Sequence, residues 1–160
     1  MNNKLKLFNW ISVLICIIVL FSSSIPVDAI VASPFKGEVN SLRLLKVLPQ
    51  DFKPGETVNY HEYMVLIQKL FNGRRAKSEY NLTEKLPIPE GDITYTDALA
   101  VAGMFLGYEK RSSIKKVKNI TREIRKGSSE TINGYEMAYI FHQLLYTKRI
   151  GANQRLIDEA

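Results

Sequence analysis

Residues Val58 to Phe71 read V-N-Y-H-E-Y-M-V-L-I-Q-K-L-F, and this stretch decides the fold. Asn59 is a good helix N-cap. Glu62, three residues on, carries a carboxylate that reaches back to the Asn59 backbone N–H, the reciprocal pairing of a capping box. Val58 before the cap and Tyr63 at the fourth helical position form a hydrophobic staple. Apolar residues then fall at Tyr63, Leu66, Ile67, Leu70 and Phe71, the stripe of an amphipathic helix. Asn72-Gly73 supplies the stop signal.

The same device occurs twice more. Ile93-Thr94-x-x-Asp97 opens a helix with Ala98, Val101, Ala102, Phe105 and Leu106 on its apolar face, closed by Gly107. Ile132-Asn133-x-x-Glu136 opens another with Met137, Ile140, Phe141, Leu144 and Leu145. Counted from the caps Asn59, Thr94 and Asn133, the staple residue, the carboxylate and the five core positions coincide. Three such starts in register, roughly 35 to 40 residues apart, fall in the period range of repeat architectures.

The remaining chain fits between these helices. Val39, Leu42, Leu45 and Leu48 stand at helical spacing in Glu38 to Leu48, with Pro49 ending that helix. Gln50 to Thr57 is a turn around Pro54-Gly55, with Phe52 as the plug beneath it. Arg74 to Leu86 carries a weak polar helix, and Leu86 to Asp92 repeats the extended turn. Ile114, Val117, Ile120 and Ile124 mark a further amphipathic helix closed by Gly127, and the third capped helix runs to about Arg149 before Gly151. No segment alternates with period two. The expectation is an all-α fold of three helix-turn-helix repeats at 38–73, 74–108 and 109–150, the first helix of the second being degenerate. A lead-in at 30–37 precedes them and a frayed tail at 151–160 follows.

The 160 residues bound the answer to one modest domain. With 46% hydrophobic and 24% charged residues, the composition is ordinary for a globular chain, and wholesale disorder is not expected. Residues 1–29 read as a signal peptide. Lys4 and Lys6 form the positive region, Trp10 to Phe21 the apolar core, and Val27 and Ala29 the cleavage recognition positions. The apolar core falls short of the ~20 residues a spanning helix needs, so membrane contact is expected only through this peptide before its removal. The single cysteine, Cys16, leaves with it. The mature chain then has no disulfide framework and no thiol chemistry.

The unit of short helix, Phe-x-Pro turn and capped amphipathic helix resembles the S-layer homology domain. Phe52-Lys53-Pro54-Gly55-Glu56-Thr57-Val58-Asn59-Tyr60-His61-Glu62 is similar to that family's turn and motif. Ile93 to Leu99 followed by Leu106-Gly107-Tyr108-Glu109 looks like a second copy, and Gly127 to Leu145 a third. The resemblance covers about Phe35 to Lys148. It implies a pseudo-threefold helical prism with the capped helices interior. It also implies grooves that bind anionic secondary polysaccharides of the bacterial cell wall, often through pyruvylated sugars, so that an exported protein is held at the cell surface without a covalent bond. In the family motif an arginine follows the threonine and is linked to polymer binding. Here that slot holds Tyr60, Tyr95 and Gly134, while the carboxylate is kept as Glu62, Asp97 or Glu136.

Candidate polymer contacts follow from the residue types. Tyr60 and Tyr95 share a repeat position, and an aromatic ring with a hydroxyl suits a sugar face; packing between repeats is the alternative. Lys110, Arg111, Lys115, Lys116, Lys118, Arg122, Arg125 and Lys126 crowd one stretch, offset by Glu109 and Glu123. They read as a solvated helix face or as a basic surface for an anionic partner, and with Val117, Ile120 and Ile124 on another side both readings can hold together. In an exported protein that partner is a wall polymer or anionic lipid rather than nucleic acid. The acids at 62, 97 and 136 are explained as caps rather than as glycosidase carboxylates. His61 and His142 have no acid or cysteine at ligand spacing. No nucleophile, metal or cofactor constellation is visible, so an enzyme is not expected. Two functions stand: a secreted wall-anchoring module, or a helical protein-interaction module on the same scaffold that has lost carbohydrate binding.

Overall fold

The computed structural model describes residues 33–72 and 89–159. Five α-helices follow in order: α1 Lys36–Leu44, α2 Tyr60–Asn72, α3 Tyr95–Phe105, α4 Lys110–Ile120 and α5 Gly134–Leu145. A short 3-10 helix, η1, spans Leu156–Glu159. The described residues contain no strand, only isolated single-pair bridges, so the fold is all-α. The expected leader with Cys16 and the weak polar helix expected over Arg74 to Leu86 lie outside the described residues.

The starts of α2, α3 and α5 are tied by one hydrogen-bonding rule. The residues before the caps, Val58, Ile93 and Ile132, are fully buried, and a buried peptide group must find a partner. Each finds it on another of the three. Val58 N–H donates to the Ile132 carbonyl (3.0 Å), Ile132 to Ile93 (3.2 Å) and Ile93 to Val58 (2.9 Å), which closes a cycle. A second cycle surrounds it. The first helical N–H of each capped helix, which has no partner within its own helix, donates to the carbonyl three residues before another cap. Tyr60 reaches Gly91 (2.9 Å), Tyr95 reaches Glu130 (2.8 Å) and Gly134 reaches Glu56 (3.0 Å). The bridges Asn59 to Asp92, Thr94 to Thr131 and Asn133 to Thr57 follow the same order.

The third N–H of each capped helix is satisfied by the cap side chain. Asn59 Oδ1 accepts from Glu62 N–H at 2.7 Å, Thr94 Oγ1 from Asp97 at 3.2 Å and Asn133 Oδ1 from Glu136 at 3.0 Å. The return bond of the box forms only at the third start, where Glu136 Oε2 accepts from Asn133 N–H at 2.9 Å. Asp97 is one methylene shorter and takes the Thr94 hydroxyl instead, at 2.7 Å. Glu62 has the length but turns toward a surface pocket described below. Asn59→Ala, Thr94→Ala and Asn133→Ala are each expected to cost about 1 kcal/mol, read from urea melts. Negligible loss in all three would mean that the caps do not hold these helix starts.

Packing completes the arrangement. α4 lies against α3, the helix before it, and α1 crosses the chain to lie against α5. Each of these two helices thus packs on a capped helix. Every apolar position read from the three periodic stripes is buried except Phe105, which is half-buried and meets the Phe71 ring at 5.1 Å. At the centre the three equivalent positions hold Tyr63, Ala98 and Met137. The small alanine leaves its carbonyl open to the Tyr63 hydroxyl, which donates to it at 2.9 Å.

Several boundaries differ from the sequence reading. α1 begins at Lys36 and ends at Leu44, well before Pro49, because Lys46 takes a left-handed conformation (φ 57°). Val47 N–H then bonds the Leu42 carbonyl and Lys46 N–H the Arg43 carbonyl, each at 2.9 Å, the Schellman closure. Val47 and Leu48 are still buried, as residues of the turn, while Leu45 is exposed. α4 ends at Ile120 rather than near Gly127, where the Thr121 hydroxyl bonds the Val117 carbonyl at 2.8 Å. α5 ends at Leu145, short of Arg149. The segment 151–160, expected as a frayed tail, is docked over its described part: Leu156 is fully buried and Arg155 bridges Lys148.

Candidate functional site

The position after each cap is where the sequence reading sought sugar contacts. The three helix starts treat it differently. Tyr60 is half-buried against the core, and its hydroxyl is pushed above the ordinary phenol range by burial and then by the negative charge of Asp97. Tyr95 is only 2% exposed, so its ring face cannot stack on a sugar. Its expected role as a contact is corrected to that of a packing residue. At Gly134 there is no room for any side chain. A Cβ there would lie 2.6 Å from Phe52 Cζ and 2.8 Å from Pro54 Cα. The turn before α2 fills the slot from the opposite side.

The basic run divides in two. Arg111, Lys115 and Lys118 stand at i, i+4 and i+7 on α4, which places them on one face. Lys116 flanks them, and Arg122 and Arg125 follow beyond the helix end. All six are exposed, and none pairs with a carboxylate among the described residues. The helix is held from its other side by fully buried Ser113 and Val117. Lys126 does not belong to that surface. Its ammonium lies 3.1 Å from Glu136 Oε2, with both side chains largely covered, and donates to the Thr131 carbonyl.

Beside the start of α2 lies a pocket of about 250 Å³. Its floor and walls include Pro49, Phe52 and Val58, and three carboxylates, Asp51, Glu56 and Glu62, line it. The one cation in its lining, Lys53, pairs with Glu56 at 3.1 Å in full solvent. Glu62 titrates above the ordinary carboxylate range because it is partly desolvated and because Glu56 adds like charge. An acidic lining does not suit an anionic polymer. This pocket was missed in the sequence. Its signal was the exchange of Lys126 for Phe52, each seven residues before its cap.

The histidines stand apart. His61 is exposed, and His142 is half-buried with its ring 5.2 Å from that of Tyr146. No group of three or more metal-ligating side chains occurs among the described residues, and no described helix is long and apolar enough to cross a membrane. No family model matches the chain, and neither a curated protein nor a solved structure is found to be similar to it.

Proposed function

We propose that the chain is an exported attachment module of the S-layer homology type, binding an anionic secondary polysaccharide of the bacterial cell wall. The observation that carries this reading is the unpaired basic surface of α4 and the segment after it. Arg111, Lys115, Lys116, Lys118, Arg122 and Arg125 are exposed and share no carboxylate among the described residues. The cyclic bonding of Val58, Ile93 and Ile132 supports a prism of three repeats. In this reading α4 supplies the positive charge that the family draws from the motif arginine.

Purified wall sacculi, with and without the secondary polymer, test it by pull-down. Binding carried by exposed cations weakens with salt, because the Debye length falls from ~10 Å at 0.1 M to ~3 Å at 1 M. Reversing Lys115, Lys116 and Lys118 to Glu is expected to remove most binding at low salt. The helical circular-dichroism signal should stay, since buried Val117 still holds α4 down. Equal binding by the triple variant and the parent would reduce the basic face to a solvated surface.

The second reading, a protein-interaction module, is favoured by a different observation. The position after the cap is filled by Phe52 at Gly134 and covered at Tyr95, which removes two of the three places the family uses for polymer. A parent chain that fails to bind sacculi carrying the polymer would favour this reading.

A further inference from the structure

The first and third units place the same groups around their caps, yet only in the third does a lysine sit on the carboxylate that follows the cap. Lys126 sits with its ammonium on two positions, the carboxylate three residues after the cap (Glu136 Oε2, 3.1 Å) and the carbonyl two residues before it (Thr131). The corresponding positions of the first unit are Glu62 and Thr57, and both line the pocket of about 250 Å³. The residue equivalent to Lys126 is Phe52, whose ring is turned toward Gly134, with Cζ 2.6 Å from where a Cβ would stand. No ammonium among the described residues reaches Glu62. The cradle that holds Lys126 in one unit is thus repeated in another without its lysine.

We propose that the pocket at Phe52, Thr57 and Glu62 binds a lysine side chain presented by a protein partner, seated as Lys126 is seated on Glu136 and Thr131. An ammonium offers three donors. The Glu62 carboxylate and the Thr57 carbonyl take two of them, and the third remains to solvent. Pro49, Phe52 and Val58 give the methylene stem an apolar wall. The ammonium seated in the third unit is that of an alkyl side chain, which points to a lysine rather than to an amino sugar. Asp51 and Glu56 add attraction at longer range. Burial raises the titration of Glu62, and a cation beside it would reverse that shift. The site uses none of the α4 cations, so it stands or falls apart from wall attachment.

The test is a titration of the full chain with Nα-acetyl-lysine methylamide, followed by amide NMR. Saturable shifts are expected at Thr57, Val58 and Glu62. The equivalents Thr131, Ile132 and Glu136 should stay unmoved, because Lys126 already occupies their cradle. Glu62→Gln keeps the shape and removes the charge, and should weaken binding about tenfold or more; so should acetylation of the probe's ε-amine. Phe52→Lys should supply an internal ammonium and block the probe. Should that variant unfold, Glu62→Gln and the acetylated probe still decide the matter. Absence of saturable shifts, or equal binding by the acetylated probe, overturns the proposal. Glucosamine binding as tightly as the lysine probe also overturns it, by making the pocket a site for amines in general.

Discussion

Replacing Gly103 by alanine is expected to destabilise the fold by about 3 kcal/mol, the upper part of the range for overpacking. Gly103 lies inside α3 at the point where α4 crosses it. A Cβ there would stand 2.3 Å from Ser113 Cβ and 2.6 Å from Ser113 Cα. Separations this short cannot be relieved by a rotamer change, because the obstacle is backbone. α4 would have to move away from α3. Ser113 is fully buried, and its hydroxyl bonds the Glu109 carbonyl at 2.9 Å, so it needs no partner from α3 and lets the backbones meet. In an unpacked helix the same change would help by about 1 kcal/mol, since alanine is the better helix former. The sign of the measured effect therefore separates close packing from propensity. Adding Ser113→Gly should return part of the loss, and a urea-melt double-mutant cycle with a coupling of ~1 kcal/mol or more would show it. A neutral or stabilising Gly103→Ala would mean that α3 and α4 do not approach this closely.

The features legible in the sequence are those written locally. Caps at Asn59, Thr94 and Asn133 and the stripes behind them need only short-range spacing. α2, α3 and α5 begin at those caps and, Phe105 apart, bury those stripes. The helix ends were less legible. The αL turn at Lys46 uses a lysine where glycine is the usual marker, so nothing in the sequence announced that α1 would stop before Pro49. The docking of Leu156 depends on a surface formed by distant residues, which no local pattern encodes.

The candidate site divides the same way. Exposure of Arg111, Lys115 and Lys118 follows from their helical face. Withdrawal of Lys126 does not, because it depends on Glu136, ten residues further on, meeting it across the turn. Tyr60 and Tyr95 occupy one repeat position and look equivalent in sequence. Their burial nonetheless differs, Tyr95 being buried and Tyr60 half-buried. The third member of the set, Gly134, shows how strongly the opposing turn controls this position.

Placing an arginine at that position is expected to fail. Gly134→Arg should cost about 3 kcal/mol or more, through overpacking, and should not gain polymer binding. The added Cβ meets Phe52 Cε1 at 2.9 Å as well as Phe52 Cζ and Pro54 Cα. The turn cannot simply retreat. Gly134 N–H is bonded to the Glu56 carbonyl at 3.0 Å and Tyr135 N–H to the Pro54 carbonyl at 2.9 Å, so moving it breaks the outer cycle that joins the three helix starts. Each buried donor left unpaired costs about 1–3 kcal/mol more. Tyr60→Arg is the control, because Tyr60 is half-buried and a long side chain can follow its path to solvent. It should cost no more than about 1–2 kcal/mol, as an ordinary substitution does. Phe52→Ala combined with Gly134→Ala separates the ring from the backbone contact. If the ring is the main obstacle, the double variant should lose at least ~1 kcal/mol less than the sum of the singles. If Gly134→Arg melts with the parent and binds sacculi more tightly, the slot is open, and an arginine there can reach an anionic polymer.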